Sequence, residues 1–179
     1  MNLLSRILRP VNRIKQTLAA RKQYELLEVG TEAPGFRLGR LGSGEVSLAE
    51  LTARGPVLLA FFKVTCPVCQ LTFPFLERLH SSGKLAVFGI SQNCTDDSTA
   101  FNREFGITFP TLLDTEKSGF PVSNDYGISH VPTMYLVGMD GRIERVIEGW
   151  SKQEIEALGS TIGVRVIGPE DNVPAWKSG

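Results

Sequence analysis

The sequence predicts an α/β domain with a central mixed β-sheet flanked by helices. Three observations carry that reading. Val57–Val64 and Leu85–Ser91 are near-continuous apolar runs, the pattern of strands covered on both faces. Each is followed by a segment with helical patterning, Pro67–Ser81 after the first and Asp96–Phe105 after the second. Later, Thr133–Val137 and Arg142–Ile147 flank Asp140-Gly141, a β-hairpin signal. The order strand, helix, strand, helix, hairpin, helix gives a sheet with a parallel part and an antiparallel edge.

Taken in order, the chain opens with Leu3, Leu4, Ile7, Leu8, Val11, Ile14 and Leu18 at helical spacing with arginines between them. This is a basic amphipathic helix with Pro10 as a kink point. Residues 3–18 suit peripheral contact with an anionic membrane surface; the alternatives are packing on the acidic body or on a second subunit, or a segment without fixed structure. Gly30 to Gly44 is rich in Gly and Pro and reads as strand and turn, with Glu45–Leu48 as a short strand. Ser47 is placed to cap a short helix from Leu48 to Ala53. In the helix Pro67–Ser81, Pro67 fits the first position and Pro74 predicts a kink. Gly106 ends the next helix, Thr111–Leu113 is a short strand and Gly119–Tyr126 a short helix. Ser151–Ile162 closes the domain, with Glu154 positioned for a capping box. The expected organisation is an extension at 1–27, a domain at 28–167 and a polar tail at 168–179.

Composition narrows the function. The chain has 179 residues, 42% hydrophobic and 21% charged, ordinary values for a globular domain with a full core. Net charge is zero, which gives no sign of a nucleic-acid partner. Residues 1–22 hold six basic residues and no acid, while 13 basic and 19 acidic residues lie beyond and leave the body near −6. Three cysteines are too few for a disulfide scaffold. Arg6, Arg9 and Arg13 interrupt the apolar core that a secretory signal needs, so the expectation is a cytoplasmic protein. In that compartment a Cys-x-x-Cys pair points to catalysis or metal binding.

Cys66 and Cys69 form that pair, between the strand Val57–Val64 and the helix that follows it. A strand feeding a helix puts Cys66 at a helix N-terminus, where unpaired N–H groups and the positive dipole end stabilise an anion. The relevant anion is a thiolate, the nucleophile of thiol–disulfide exchange. Cys69 lies one turn on, within reach of a disulfide to Cys66. The pair reads as a redox dithiol.

The chain resembles the thioredoxin-like redoxins over about residues 28–162. The resemblance rests on Gly30-Thr31-Glu32-Ala33-Pro34-Gly35-Phe36, the segment Phe61 to Cys69, Tyr126-Gly127-Ile128-Ser129-His130-Val131-Pro132-Thr133 and Asp140-Gly141-Arg142-Ile143. The opening motif and the insertion from Cys94 to Phe120 look like the peroxiredoxin and membrane-tethered thioredoxin branch. The resemblance implies a thioredoxin-like fold, a cis Pro132 facing the dithiol, and a Val131 backbone that receives an extended substrate chain by β-strand addition. It makes Val131, Pro132, Pro67 and Thr65 substrate-binding candidates. Small thioredoxins keep a buried Asp at the place of Ala60 and a Trp at the place of Thr65. The cytochrome-maturation branch keeps a Glu at the place of Thr72. This chain has an acid at neither Ala60 nor Thr72, so the proton acceptor for Cys69 is not among the positions the family uses.

The expected activity is thiol–disulfide exchange with a protein or small disulfide, followed by recovery through an external thiol reductant. That chemistry needs no cofactor and no metal. Lys63 and His130 are candidate modulators of the pair, and Cys94 is a candidate third redox thiol. Two other readings compete. A peroxiredoxin-type peroxidase uses a Thr two residues from its reactive Cys and an activating Arg. Here Thr65 directly precedes Cys66, and no Arg occurs near Val131-Pro132. A zinc-binding or redox-sensing module would draw on Cys66, Cys69 and Cys94 with His80 or His130, without a second Cys-x-x-Cys. His80, at a helix end, is expected to serve the helix dipole. Trp150 and Trp176 carry no site signal.

Overall fold

The computed structural model describes residues 25–179, so the basic helix expected at residues 3–18 lies outside the described residues. The elements are β1 (Arg37–Gly39), β2 (Glu45–Ser47), α1 (Leu48–Thr52), β3 (Val57–Phe62), α2 (Pro67–Ser81), β4 (Ala86–Ser91), α3 (Thr95–Phe105) and β5 (Thr111–Leu113). A 3₁₀ turn at Glu116–Ser118 follows, then α4 (Pro121–Asp125), β6 (Thr133–Val137), β7 (Ile143–Glu148), β8 (Trp150–Ser151), α5 (Lys152–Thr161) and β9 (Trp176–Lys177).

Five strands form the main sheet in the order β5-β4-β3-β6-β7. β3 runs parallel to β4 and β4 parallel to β5, whereas β6 is antiparallel to β3 and to β7. The parallel part and the hairpin edge expected from the apolar runs are both present. β3 is central, and all six of its residues are buried. Successive strand side chains point to opposite faces, so both faces need cover. Phe62 meets Phe73 and Phe101 on one face, at centroid distances of 4.4 and 5.0 Å. Phe61 meets Tyr126 and Tyr135 on the other, at 5.2 and 6.1 Å. A continuous apolar strand is what such two-sided packing demands.

Helix ends follow local chemistry. Ser47 and Glu50 form a complete capping box at α1. At α5 the box is half made. The Ser151 hydroxyl accepts from the Glu154 N–H at 3.3 Å, but the Glu154 carboxylate turns away to Arg145 at 2.8 Å. Gly106 closes α3 in the left-handed conformation. The single helix expected over Gly119–Tyr126 is shorter and preceded by the 3₁₀ turn, because Phe120 sits at φ 53 and breaks continuity before Pro121. α2 runs unbroken from Pro67 through Pro74 to Ser81.

The tail at 168–179 is packed rather than merely polar. β9 pairs antiparallel with β8, and the Trp150 indole N–H donates to the Pro174 carbonyl at 2.6 Å. Arg78 forks onto Asp171 at 2.6 and 2.9 Å. Trp150, fully buried against Phe75, is the anchor. A Cβ on Gly149 would collide with the Lys177 carbonyl oxygen, so glycine is what lets the tail approach.

Candidate active site

β3 ends at Phe62, and Lys63-Val64-Thr65 carry the chain to Cys66, the N-cap of α2. The loop is braced at several points. The Cys66 N–H donates to the Lys63 carbonyl at 3.1 Å. The Val64 N–H donates to Asn93 Oδ1 at 3.0 Å, and the Gln70 side-chain amide donates to the Val64 carbonyl at 3.0 Å. Asn93 and Gln70 were not legible as site residues. Their types and positions, after an apolar strand and inside a helix, are common to many loops and helices.

Both cysteines are free thiols, and Cys66 is half-buried. Its sulfur accepts the Cys69 N–H at 3.3 Å, as an N-cap should. The same thiol donates to the Val131 carbonyl at 3.2 Å. The Val131–Pro132 peptide bond is cis. Cys69 is fully buried among core residues. Burial pushes its thiol strongly up, against a smaller opposing contribution from the Lys63 backbone N–H. Ala60 and Thr72 are fully buried as well, and the Thr72 hydroxyl is spent on the Val68 carbonyl at 2.7 Å.

The other sequence candidates separate. Thr65 and Pro67 are exposed beside Cys66, the Val131 carbonyl faces the Cys66 thiol, and Pro132 is buried next to it in the chain. Lys63 is exposed and lines a depression next to Val131. His130 bridges two groups: its Nδ1 meets the Ser129 hydroxyl at 3.0 Å and its Nε2 meets Glu148 at 3.0 Å. Cys94 is exposed at the N-cap of α3 and makes no side-chain capping bond. Among the described residues no three His, Cys, Asp or Glu side chains gather as metal ligands, so the zinc set is not brought together. His80 does not act through the helix dipole alone. Its Nδ1 accepts the Val87 N–H at 3.3 Å and ties α2 to β4.

Trp176, which carried no signal in the sequence, is 63% exposed and borders a second depression with His130 and Glu148. The tail also reaches the substrate-facing edge. A Cβ on Gly179 would lie 2.6 Å from the Val131 carbonyl oxygen, so the tail shares the edge expected to receive a substrate strand.

The AhpC/TSA family profile matches residues 29–146. The chain belongs to the AhpC/TSA family. The AhpC/TSA segment holds Cys66, Cys69 and Pro132, while α5 and the packed tail lie beyond it. The chain is 27% identical over 137 residues to a thiol-disulfide oxidoreductase ResA of Bacillus thuringiensis (strain Al Hakam), covering 74% of this chain and 77% of that protein. It is 28% identical over 129 residues to ResA of Bacillus subtilis (strain 168), covering 70% of each. Among solved structures, the thioredoxin domain of a thiol-disulfide oxidoreductase from Bacteroides vulgatus superposes with a TM-score of 0.67 at 21% identity, covering 76% of this chain and 99% of that domain. The last likeness establishes the thioredoxin-like fold for this AhpC/TSA protein.

Proposed function

We propose that this AhpC/TSA protein is a thiol-disulfide oxidoreductase in which Cys66 is the nucleophile and Cys69 the resolving thiol. The observation that carries the reading is the asymmetry of the pair: Cys66 reaches the surface at a helix N-terminus while Cys69 is fully buried behind it. The two contacts of Cys66 act in opposite directions. The Val131 carbonyl can accept only from the thiol. The Cys69 N–H and the helix dipole favour the thiolate.

The thiolate of Cys66 attacks one sulfur of a substrate disulfide. A Cys66–substrate S–S bond forms, the substrate S–S bond breaks, and the departing sulfur leaves as a thiolate. Cys69 then loses its proton and attacks Cys66 Sγ. The second substrate sulfur leaves, and the protein holds a Cys66–Cys69 disulfide, two electrons having passed to the substrate. An external thiol reductant returns those electrons. An extended substrate would lie along Val131, with Thr65 and Pro67 opposite, sharing that edge with Gly179 of the tail.

The test is reduction of insulin by dithiothreitol. The full chain should accelerate precipitation of the insulin B chain, and Cys66→Ser should abolish the acceleration. No acceleration by the wild type, together with rapid consumption of hydrogen peroxide, would overturn the reading in favour of a peroxidase.

A further inference from the structure

We propose that the depression between Lys63 and Val131 is a subsite for an acidic group carried by the disulfide substrate next to its reacting sulfur. The inference rests on the exchange reaction proposed for Cys66. The depression encloses about 250 Å³ and is lined by Lys63, Gln92, Ser123, Asn124 and Val131, among others. A water occupies about 30 Å³ of liquid, so a short arm of several heavy atoms fits. Val131 is part of the lining, and the Val131 carbonyl accepts the Cys66 thiol. A sulfur under attack by Cys66 must approach this lining, so the atoms attached to that sulfur fall into or beside the depression.

The charge of the lining is one-sided. Lys63 is its one side chain with a permanent charge, and no carboxylate lines it. The Lys63 ammonium takes part in none of the ion pairs among the described residues. His130, the other titratable group in the lining, has its Nε2 engaged by Glu148, which borders the neighbouring depression instead. The remaining polar groups are neutral. The Gln92 amide donates to the Ser123 hydroxyl at 2.9 Å, and the Asn124 amide to the Gly119 carbonyl at 2.8 Å. The Lys63 main chain is tied to the cysteine loop, since its carbonyl accepts the Cys66 N–H, while its side chain is exposed. A cation three residues from the nucleophile, with neutral donors beside it and no acid in the lining, favours a carboxylate. The selection is local, because residues 23–179 carry a net charge near −6 and their long-range field favours cations.

The test mixes the pre-reduced full-length protein with three small disulfides: dithiodipropionate, hydroxyethyl disulfide and cystamine. Formation of the Cys66–Cys69 disulfide is followed by mass spectrometry. The readout is the ratio of second-order rates for the dianion over the dication, compared between variants so that intrinsic reactivity cancels. An exposed charge pair is worth up to about fivefold, so Lys63→Gln should lower the ratio about fivefold and Lys63→Glu about 25-fold. Both changes should shrink in about 0.5 M salt. A change below about twofold in Lys63→Glu overturns the subsite, since charge reversal at a contacting cation must exceed it. Failure of the exchange reading looks different: hydroxyl-ended disulfide would leave wild-type Cys66 unoxidised.

A second arm identifies the source of the acid. Disulfide-linked peptides with Asp on both sides of cysteine are compared with the Asn versions. A Lys63 effect on small disulfides alone assigns the subsite to a free low-molecular-weight disulfide. An effect on both assigns it to an acidic residue in a polypeptide.

Discussion

Cys66 and Val131 are 65 positions apart, yet the thiol of one donates to the carbonyl of the other at 3.2 Å. The contact joins the end of β3 to the start of β6, strands that are hydrogen-bonded neighbours in the sheet. At this contact one cysteine of the pair is half-buried and reaches the surface, while the other lies in the core. Alkylation of the native reduced protein should therefore distinguish the three thiols. Iodoacetamide should label Cys66 and the exposed Cys94, while Cys69, buried and with its thiol pushed up, should react about 100-fold more slowly or less. Peptide mapping after a timed quench reads this directly. Equal labelling of Cys69 and Cys66 would remove the asymmetry on which the nucleophile assignment stands.

That assignment also predicts what remains when the second step is blocked. With Cys69→Ser, attack by Cys66 still forms the mixed disulfide, but no thiol one turn away displaces the substrate. Serine is smaller and polar, and the site is fully buried, so a cost of about 1–3 kcal/mol in stability is expected alongside. The variant should accumulate a covalent adduct of one substrate chain per protein, visible on a non-reducing gel and cleared by dithiothreitol. Cys66→Ser should give none. An adduct through Cys94 instead would reassign the nucleophile.

The tail makes its own prediction. Arg78 and the Gly168 N–H hold the Asp171 carboxyl at about 2, below its ordinary 3.8. A carboxyl whose folded value is depressed contributes stability that is present above its unfolded value and lost as pH falls through the folded one. The tail clamp should thus be complete above about pH 4 and be lost between about pH 4 and pH 2. Hydrogen exchange at the backbone amides of Trp176 and Lys177, which pair with Trp150 and Ser151, should report the loosening. Asp171→Asn should reproduce at neutral pH the exchange that the wild type shows only in acid. Unchanged exchange in that variant would mean that Trp150 packing alone holds the tail.

How much of this was legible depends on the range of the interaction. The two-sided burial of β3 is written in Val57-Leu58-Leu59-Ala60-Phe61-Phe62, because strand periodicity is local. The N-cap position of Cys66 follows from strand, turn and Pro67 in immediate succession. The family resemblance supplied the cis bond at Val131–Pro132. By contrast, the packing of the tail was hidden, since it depends on Arg78 meeting Asp171 across 93 positions and on Gly149 meeting Lys177. The half-made box at α5 was misleading for a related reason. Ser151 and Glu154 have the local spacing, but Arg145 on the neighbouring strand β7 competes for the carboxylate. The isolation of Cys94 from any metal set was equally a matter of three-dimensional separation, which spacing does not encode.

Asp114 shows the same limit and yields the sharpest stability prediction. The first turn of α4 leaves unpaired N–H groups, as every helix start does. Its N-cap residue is Phe120, in the left-handed conformation and without a capping side chain. Asp114, fully buried just after β5, supplies the cap from outside: its carboxylate accepts the Val122 N–H at 3.2 Å and the Ser123 N–H at 2.6 Å. Removing it would strand two donors, at about 1–3 kcal/mol each. Asp114→Ala should therefore destabilise the protein by about 2–6 kcal/mol in urea titration. Asp114→Asn keeps the shape and one oxygen acceptor, so it should fall between the wild type and the alanine variant. Because α4 carries Ser123 and Asn124 of the Lys63 depression, both variants should also change the dianion-to-dication rate ratio, whereas thiol labelling of Cys66 should hold. A destabilisation below about 0.5 kcal/mol for Asp114→Ala would show that the turn finds other acceptors.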